Sequence, residues 1–305
     1  MALIGRIPNN QFAGQSTITS VVFGSKCNFV GQNAFRDCIS LSKINDDNMI
    51  ENIQPYAFAN CSNLLSVNFN ELSINLCSNA FYGCNNLESV NMPQCINIPT
   101  NEFANCYNLM YINIPNVTEL GVSAFSSCYN LMSVNIEENF YIIYPYAFYG
   151  CSSLTNIEIP NSVTIIGDYA FDDCDSLTCV VIPDSVTSIG DSAFDTCSSL
   201  TSVTIPDSVT IVEDCAFAGC QSLQEFKGKF VADNGRCLID GSTFIAYAGA
   251  SGTEYTVPEH VTTISNLFGS FTINILAAST RYECVSTSGY SSPTSLNIWS
   301  QNTME

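Results

Sequence analysis

The stretch Ile182–Thr204, IPDSVTSIGDSAFDTCSSLTSVT, decides how this chain folds. Leu200, Val203 and Ile205 are spaced as the inward side chains of a short strand, in which successive residues alternate between the two faces. Pro206 ends that strand because proline cannot donate to a ladder of backbone hydrogen bonds. One wall of a small core is therefore predicted from the end of this stretch and the two residues that follow it.

The opposite wall lies earlier in the same stretch. Val186 and Ile189 turn back into the core, and Gly190 allows a tight bend after them. The following segment, 191–194, starts with an aspartate that can cap a helix and predicts a short helical turn. The whole stretch is thus predicted to form one closed coil.

The same anchors recur along most of the chain. Phenylalanines are 23 residues apart, apart from two consecutive steps of 22, at Phe12, Phe35, Phe58, Phe81, Phe103, Phe125, Phe148, Phe171, Phe194 and Phe217. A cysteine follows three positions after each of the last nine, at Cys38, Cys61, Cys84, Cys106, Cys128, Cys151, Cys174, Cys197 and Cys220. A leucine comes three positions later again, from Leu41 to Leu223. Because a single coil has only one buried face, such repeats are stable when stacked, and the period predicts a repeat solenoid of about ten coils.

The repeated pattern AFxxCxSLTxVxIPxSVTxIG resembles the BspA-like leucine-rich repeats of bacterial and protist surface proteins. The resemblance implies a right-handed stack of coils with a parallel β-sheet face and short helical turns. It also implies a cell-surface or extracellular location and a role in binding host matrix proteins or cells.

Three regions are predicted. Residues 1–226 form the leucine-rich-repeat solenoid. Residues 227–265 form an irregular repeat, with a β-hairpin at Asp240-Gly241 and a partial coil after it. Residues 266–305 form a degenerate C-terminal cap or tail, for which a cap, a linker and a damaged repeat remain alternatives.

The charge balance narrows the choice of partner. The chain has 28 acidic and 8 basic residues and a formal net charge of -20. Nucleic acid is excluded as a partner because that affinity depends on clustered cations. Direct membrane insertion is not expected, since there is neither a long apolar segment nor an apolar signal-like start. The predicted partner is a protein or a glycan.

Catalytic, cofactor and metal sites are not predicted. The periodic cysteines lack the close pairs of zinc sites and are interpreted as small buried side chains between stacked coils. His260, the single histidine, lies in a turn without a nucleophile motif, so an enzyme would require chemistry in the irregular segment, with His260 and Cys237 as its candidates. Recurrent acids such as Asp191 and Asp214 are explained by turn chemistry, and a weak calcium site is the less favoured alternative.

The remaining candidate is the outward surface of the predicted strands. The partner-binding residues predicted on it are Lys43, Asn45, Asn68, Asn91, Tyr111, Asn113, Asn135, Asn156 and Glu158. Asparagine recurs in one stripe, which is either a polar recognition face or a ladder of amides that stabilises stacking. Tyrosines crowd the middle coils at Tyr107, Tyr111, Tyr129, Tyr141, Tyr144, Tyr146 and Tyr149.

The sequence therefore predicts a non-enzymatic protein-binding or adhesion module. The alternative is a structural spacer or shaft segment in a larger cell-envelope or virion-tail assembly, for which a uniform Ser and Asn surface is sufficient.

Overall fold

The computed structural model of the chain is a parallel β-solenoid of about 11 turns with almost no helix. It describes residues 5–24, 26–46, 50–69, 74–136, 138, 140–252 and 254–264, and three short strands beyond them. The predicted solenoid is confirmed, and its coils contribute strands to two separate sheets, although some coils contribute to only one of them.

The first sheet, sheet A, consists of the strands that follow the periodic leucines. Its five-stranded part is formed by Ser20–Phe23, Lys43–Asp46, Ser66–Asn68, Ser89–Asn91 and Tyr111–Asn113. A three-stranded part follows in later coils, with Val180–Val181, Ser202–Ile205 and Glu225–Gly228. The strands are parallel and in register, so that Val67 pairs with Val90 inside while Asn68 pairs with Asn91 outside.

The second sheet, sheet B, lies on the opposite wall and is made of two-residue strands. They are Arg6–Ile7, Phe29–Val30, Asn52–Ile53, Asn75–Leu76, Asn97–Ile98, Glu119–Leu120, Ile142–Ile143, Ile165–Ile166, Ser188–Ile189 and Ile211–Val212. The second residue of nearly every one of these strands is buried. Each coil is thus closed by an apolar wall on both sides of one continuous core.

The segment around each phenylalanine is a chain of turns, and the helical turn predicted at 191–194 is wrong. Ser192 and Thr196 have φ angles of 52° and 51°, which a right-handed helix does not permit. The Phe194 N–H donates to the carbonyl of Ala216 in the next coil at 2.8 Å, whereas the Ala193 N–H turns back to Gly190. This alternation recurs from coil to coil and forms a third ladder of hydrogen bonds, here called the turn rail.

The phenylalanines form a spine through the core. From Phe12 to Phe217 each ring stacks on the next, with centroids 5.1 to 5.8 Å apart and interplanar angles of 18° or less. The spine ends where Phe226 meets Phe217 edge-on, at 71°. The regular array therefore ends near Phe226, where the 23-residue period of the sequence also ends.

The irregular segment contains the predicted hairpin. Cys237–Asp240 pairs antiparallel with Thr243–Tyr247, and Gly241 has the positive φ that a tight hairpin turn requires. Val231–Ala232 joins this sheet, and single 3-10 turns occupy Asp233–Gly235 and Gly249–Ser251.

Parallel stacking resumes after the hairpin. Glu254–Val257 and Thr263–Ile264 supply the partial coil. Thr272–Ile275 pairs with Glu254–Val257, and Ser295–Ile298 pairs in turn with Thr272–Ile275. Arg281–Tyr282 likewise continues from Thr263–Ile264. These strands belong to the coil stack, and the rest of the predicted tail, including Cys284, lies outside the described residues.

Candidate interaction surface

The asparagine stripe on sheet A is a hydrogen-bonded ladder over three coils. The Asn91 side-chain amide donates to Asn68 Oδ1 at 2.7 Å, and the Asn113 amide donates to Asn91 Oδ1 at 2.6 Å. Parallel, in-register strands place identical amides one above another, which is why these bonds form. Some of the side-chain amides of the predicted site therefore hydrogen-bond to one another and stabilise stacking.

The other predicted site residues extend this face in both directions. Lys43 is exposed at one end, and the side chain of Asn45 in the same strand lies outside the described residues. Tyr111 is 63% exposed. Asn135, Asn156 and Glu158 are exposed too, but they follow the point where sheet A is interrupted, and Glu158 makes only an isolated bridge to Val181.

Among the described residues, sheet A has no strand between Tyr111–Asn113 and Val180–Val181. Sheet B is interrupted between Asn75–Leu76 and Asn97–Ile98, and it opens again between the coils of Phe125 and Phe148. Within the described part of sheet B, Glu119–Leu120 pairs only with the preceding coil and Ile142–Ile143 only with the following one. The turn rail nevertheless crosses this point, since the Phe125 N–H donates to the Ala147 carbonyl at 2.9 Å. The opening coincides with the return from a 22-residue to a 23-residue step.

A cleft of about 420 Å³ lies at this opening. Its lining residues are Thr118, Glu119, Tyr141, Ile142 and Tyr144. Tyr141 is 68% exposed, so one of the tyrosines noted in the sequence stands at the mouth of the cleft.

Exposed tyrosine and methionine side chains lie on the two neighbouring coils of Phe103 and Phe125, where the five-stranded part of sheet A ends. Tyr107, Tyr111, Tyr129 and Met132, here called the Tyr/Met patch, are 37%, 63%, 45% and 50% exposed. The rings of Tyr107 and Tyr129 stack with centroids 5.0 Å apart. Large exposed side chains of these types are enriched at protein interfaces. The sequence showed the tyrosines, and the structure adds Met132 as an exposed side chain on the same coil as Tyr129.

A second cavity, the flank pocket, adjoins this patch through Tyr129. Its volume is about 330 Å³, and it is lined by Ser127, Tyr129, Tyr149, Gly150, Ser152, Asp173 and Asp175. Asp173 Oδ1 accepts a hydrogen bond from Thr196 Oγ1 at 2.7 Å, and Asp175 Oδ1 accepts one from Ser198 Oγ at 3.0 Å. The two aspartates were not among the predicted site residues because they lie one coil away from Tyr149 and two coils away from Tyr129, at ordinary turn positions.

Comparison with known proteins identifies the family. The BspA type leucine rich repeat region matches residues 5–132 and 118–232, in six copies. The chain belongs to this family. No curated protein sequence matches the chain.

Two solved structures show how far the likeness of this BspA-type chain extends. A leucine-rich repeat protein from Bacteroides ovatus is 25% identical, with a TM-score of 0.61, over 91% of this chain and 78% of that one. The pneumococcal vaccine antigen PcpA is 16% identical, with a TM-score of 0.53, over 93% of this chain and 85% of that one, which shows a shared fold alone.

No disulfide joins the cysteines in the described part of this BspA-type chain, and the nine of the periodic ladder are buried. Burial raises the pKa of these ladder thiols, and for Cys128 the neighbouring Cys151 adds to the effect. Cys179 is exposed. The ladder is therefore held as neutral thiols, which are poor nucleophiles and poor metal ligands.

The two residues considered for catalysis, Cys237 and His260, lie in different environments. Cys237 is buried, its sulfur lies 3.2 Å from Tyr255 Oη, and burial raises the pKa of its thiol. His260 is exposed in a turn. Within the described residues, no group of three or more His, Cys, Asp or Glu side chains is arranged to hold a metal ion. No helix of the described chain is long and apolar enough to span a membrane.

Proposed function

We propose that this chain is a non-catalytic binding module of the cell surface that engages a macromolecular partner through sheet A and the Tyr/Met patch. The family supports a protein-interaction or surface role in general terms. The observation that carries the proposal is the presence of four exposed tyrosine and methionine side chains on two neighbouring coils, next to the polar outer face of sheet A.

The polar part of the proposed surface is the stripe predicted from the sequence. It comprises Lys43, Asn45, Asn68, Asn91, Tyr111, Asn113, Asn135, Asn156 and Glu158. The bonded amides of the ladder give this face a rigid backbone, and rigid surfaces lose less conformational entropy on binding. Tyr111 and Met132 supply the large apolar contacts that usually dominate the binding energy of an interface.

The test is affinity capture from cell-surface and matrix extracts with the whole chain as bait. The variant Tyr111→Ser/Met132→Thr gives each position a residue type that other coils carry there, so the fold should be retained. The matched control is Val22→Thr/Val181→Thr, because these valines are 65% and 75% exposed on sheet A away from the patch. We expect the patch variant to lose at least about tenfold in affinity, as hot-spot truncations of 1.4 kcal/mol or more do.

Two results would contradict the proposal. Equal capture by the patch variant and the control would remove the Tyr/Met patch from the binding surface. Failure of the wild type to capture any protein or glycan would remove the binding function itself.

The amide ladder favours a second candidate function, a structural spacer or shaft in a larger assembly. Bonds between identical side chains of successive coils stabilise a long stack whether or not a ligand binds. Under this alternative, substitution of Asn68, Asn91 and Asn113 by alanine would lower thermal stability, while the surface variants would leave assembly unchanged.

A further inference from the structure

We propose that the flank pocket binds an arginine side chain of a protein partner. The proposal rests on the proposed function, because it names the chemistry by which a partner held at the Tyr/Met patch would be recognised. The pocket and the patch share Tyr129, so one partner can reach both.

The walls of the pocket suit a flat cation. Tyr129 and Tyr149 line it, and the Tyr129 ring is braced from its other side by the stacked Tyr107. Gly150 lies between them with φ +70°, and a side chain added there would stand 3.6 Å from the Tyr129 ring edge. A Cβ there would make only ordinary van der Waals contacts, so it is Tyr129 and Tyr149 that define the walls of the pocket, and aromatic faces attract cations.

The acidic side of the pocket has no internal partner of opposite charge. In the described part of the chain, the ion pairs are Arg36 with Asp37, Lys227 with Glu225 and Arg236 with Asp233, and neither Asp173 nor Asp175 takes part. The hydrogen bonds from Thr196 and Ser198 fix the orientation of the two carboxylates. A chain of net charge -20 with these acids in an aromatic cavity favours a cationic occupant.

Two arginines of the chain itself each lie near both an aspartate and a tyrosine ring. Arg36 forms an ion pair with Asp37 and lies 5.7 Å from the centre of the Tyr56 ring. Arg236 contacts Asp233 at 3.2 Å and lies 5.2 Å from the centre of the Tyr255 ring. The flank pocket offers the same two kinds of group, a tyrosine face and an aspartate, without the arginine.

Arginine fits this combination better than lysine. Its planar guanidinium stacks on aromatic rings and donates two parallel hydrogen bonds to a carboxylate, whereas the lysine ammonium is a compact and strongly hydrated charge. A neutral sugar would stack on the tyrosines but would gain little from the two carboxylates.

The probe for the test is N-acetyl-arginine amide, titrated into the whole chain by calorimetry or NMR at about 0.15 M salt. N-acetyl-citrulline amide is its neutral counterpart of nearly the same shape. We expect the arginine probe to bind with a Kd of about 1 mM, as suits a single cationic side chain, and the citrulline probe to bind at least about tenfold more weakly.

The variants separate the pocket from the general negative charge. Asp173→Asn/Asp175→Asn keeps the oxygen that accepts from Thr196 or Ser198 and removes two charges. Asp184→Asn/Asp207→Asn removes the same charge from exposed turns elsewhere. We expect the first pair to weaken arginine binding at least about fivefold, roughly 1 kcal/mol, and the second to change it less than about twofold. Tyr149→Leu should weaken binding, and Tyr149→Phe, which keeps the ring, should not.

Equal weakening by both aspartate pairs would overturn the proposal, because it would show only attraction to a polyanion. Equal binding of citrulline, or tighter binding of a neutral monosaccharide, would overturn it as well. The proposed function fails on a different result, the lack of a captured partner. If the arginine probe binds but no partner is captured, the pocket proposal is supported and the proposed function is contradicted.

Discussion

The sulfur of Cys151 lies 3.3 Å from the carbonyl oxygen of Phe125 in the preceding coil. The same contact recurs in all nine periodic cysteines, at 3.1 to 3.4 Å. That carbonyl also accepts from the backbone N–H of Cys128. The cysteine therefore fills a small buried space and supplies a weak donor toward the neighbouring coil, and this explains its period without redox or metal chemistry.

Replacement of Cys151 should be destabilising in a defined order. Alanine removes the sulfur and leaves a small cavity, which should lower the free energy of unfolding by about 1 to 2 kcal/mol. Serine has a shorter bond to its oxygen and would bury a hydroxyl too far from Phe125 for a good hydrogen bond, so it should cost more than alanine. Chemical denaturation measures both, with exposed Cys179→Ser as control; wild-type stability in Cys151→Ser would contradict the role given to the thiol.

Thiol reactivity should divide the cysteines by burial. In a Cys284→Ser background, a thiol reagent should modify the exposed Cys179 quickly and the half-buried Cys77 more slowly in the native chain. The ladder cysteines should react only on unfolding, because burial both raises their pKa and blocks access. Peptide mapping by mass spectrometry identifies the modified sites, and rapid native modification of Cys151 would show that the stack opens locally.

The turn rail imposes left-handed conformations on residues that do not favour them. Ser123 has φ 57°, while the equivalent residues of the two preceding coils are Asn101 and Asn79. Asparagine tolerates this region better than serine, so Ser123→Asn should raise the free energy of unfolding by about 0.5 to 1 kcal/mol. Ser126 in the same turn lacks a positive φ, and Ser126→Asn is the control in the thermal denaturation. Equal effects of the two substitutions would argue against backbone strain.

Stability should fall as the pH rises from about 4 to 7, the interval between the ordinary pKa of aspartate and the raised pKa of two buried aspartates. Burial, reinforced by neighbouring Asp173 and Asp191, raises the pKa of Asp172 from 3.8 to about 7, and burial with Asp172 nearby does the same for Asp195. An acid whose pKa is raised by folding contributes stability that is complete below the pKa of the unfolded chain and is lost as the pH passes the folded value.

The measurement is Tm against pH for the wild type and for Asp172→Asn/Asp195→Asn. The variant should show a flatter profile and a higher Tm at pH 8. A wild-type Tm that rises over this interval would mean that the two aspartates are ionised and stabilised in the folded chain.

Glu102, which lies in another coil, should contribute to the same loss of stability as the pH rises. It occupies a position where alanine precedes the phenylalanine in the other coils from Phe35 to Phe217, it is fully buried, and one of its carboxyl oxygens has no partner. The other accepts from the Ala80 N–H at 3.0 Å, and burial raises its pKa well above the ordinary value. Glu102→Gln keeps that acceptor and cannot ionise, so it should raise Tm at pH 8 and change it little at pH 5. A loss of stability at pH 8 would show that the charge is satisfied.

The sequence by itself determined the coil. The 23-residue spacing of Phe, Cys and Leu fixed which side chains face inward, and a coil with one buried face is stable only in a stack. The Phe spine, the buried thiols, sheet A and the hairpin at Gly241 were predictable because each depends on local spacing or local turn chemistry.

The tertiary structure decided what local patterns leave open. The segment 191–194 has the composition of a helix start, but hydrogen bonds to the next coil hold Ser192 and Thr196 in left-handed turns, and a bond to another coil is invisible in a short window of sequence. The opening near Phe125, the pocket that Asp173 and Tyr129 line from different coils and the resumption of strand pairing at Thr272–Ile275 are decided in the same way. All three features depend on how each coil packs on the next one. That packing varies with small differences in coil length, which a single repeat does not show.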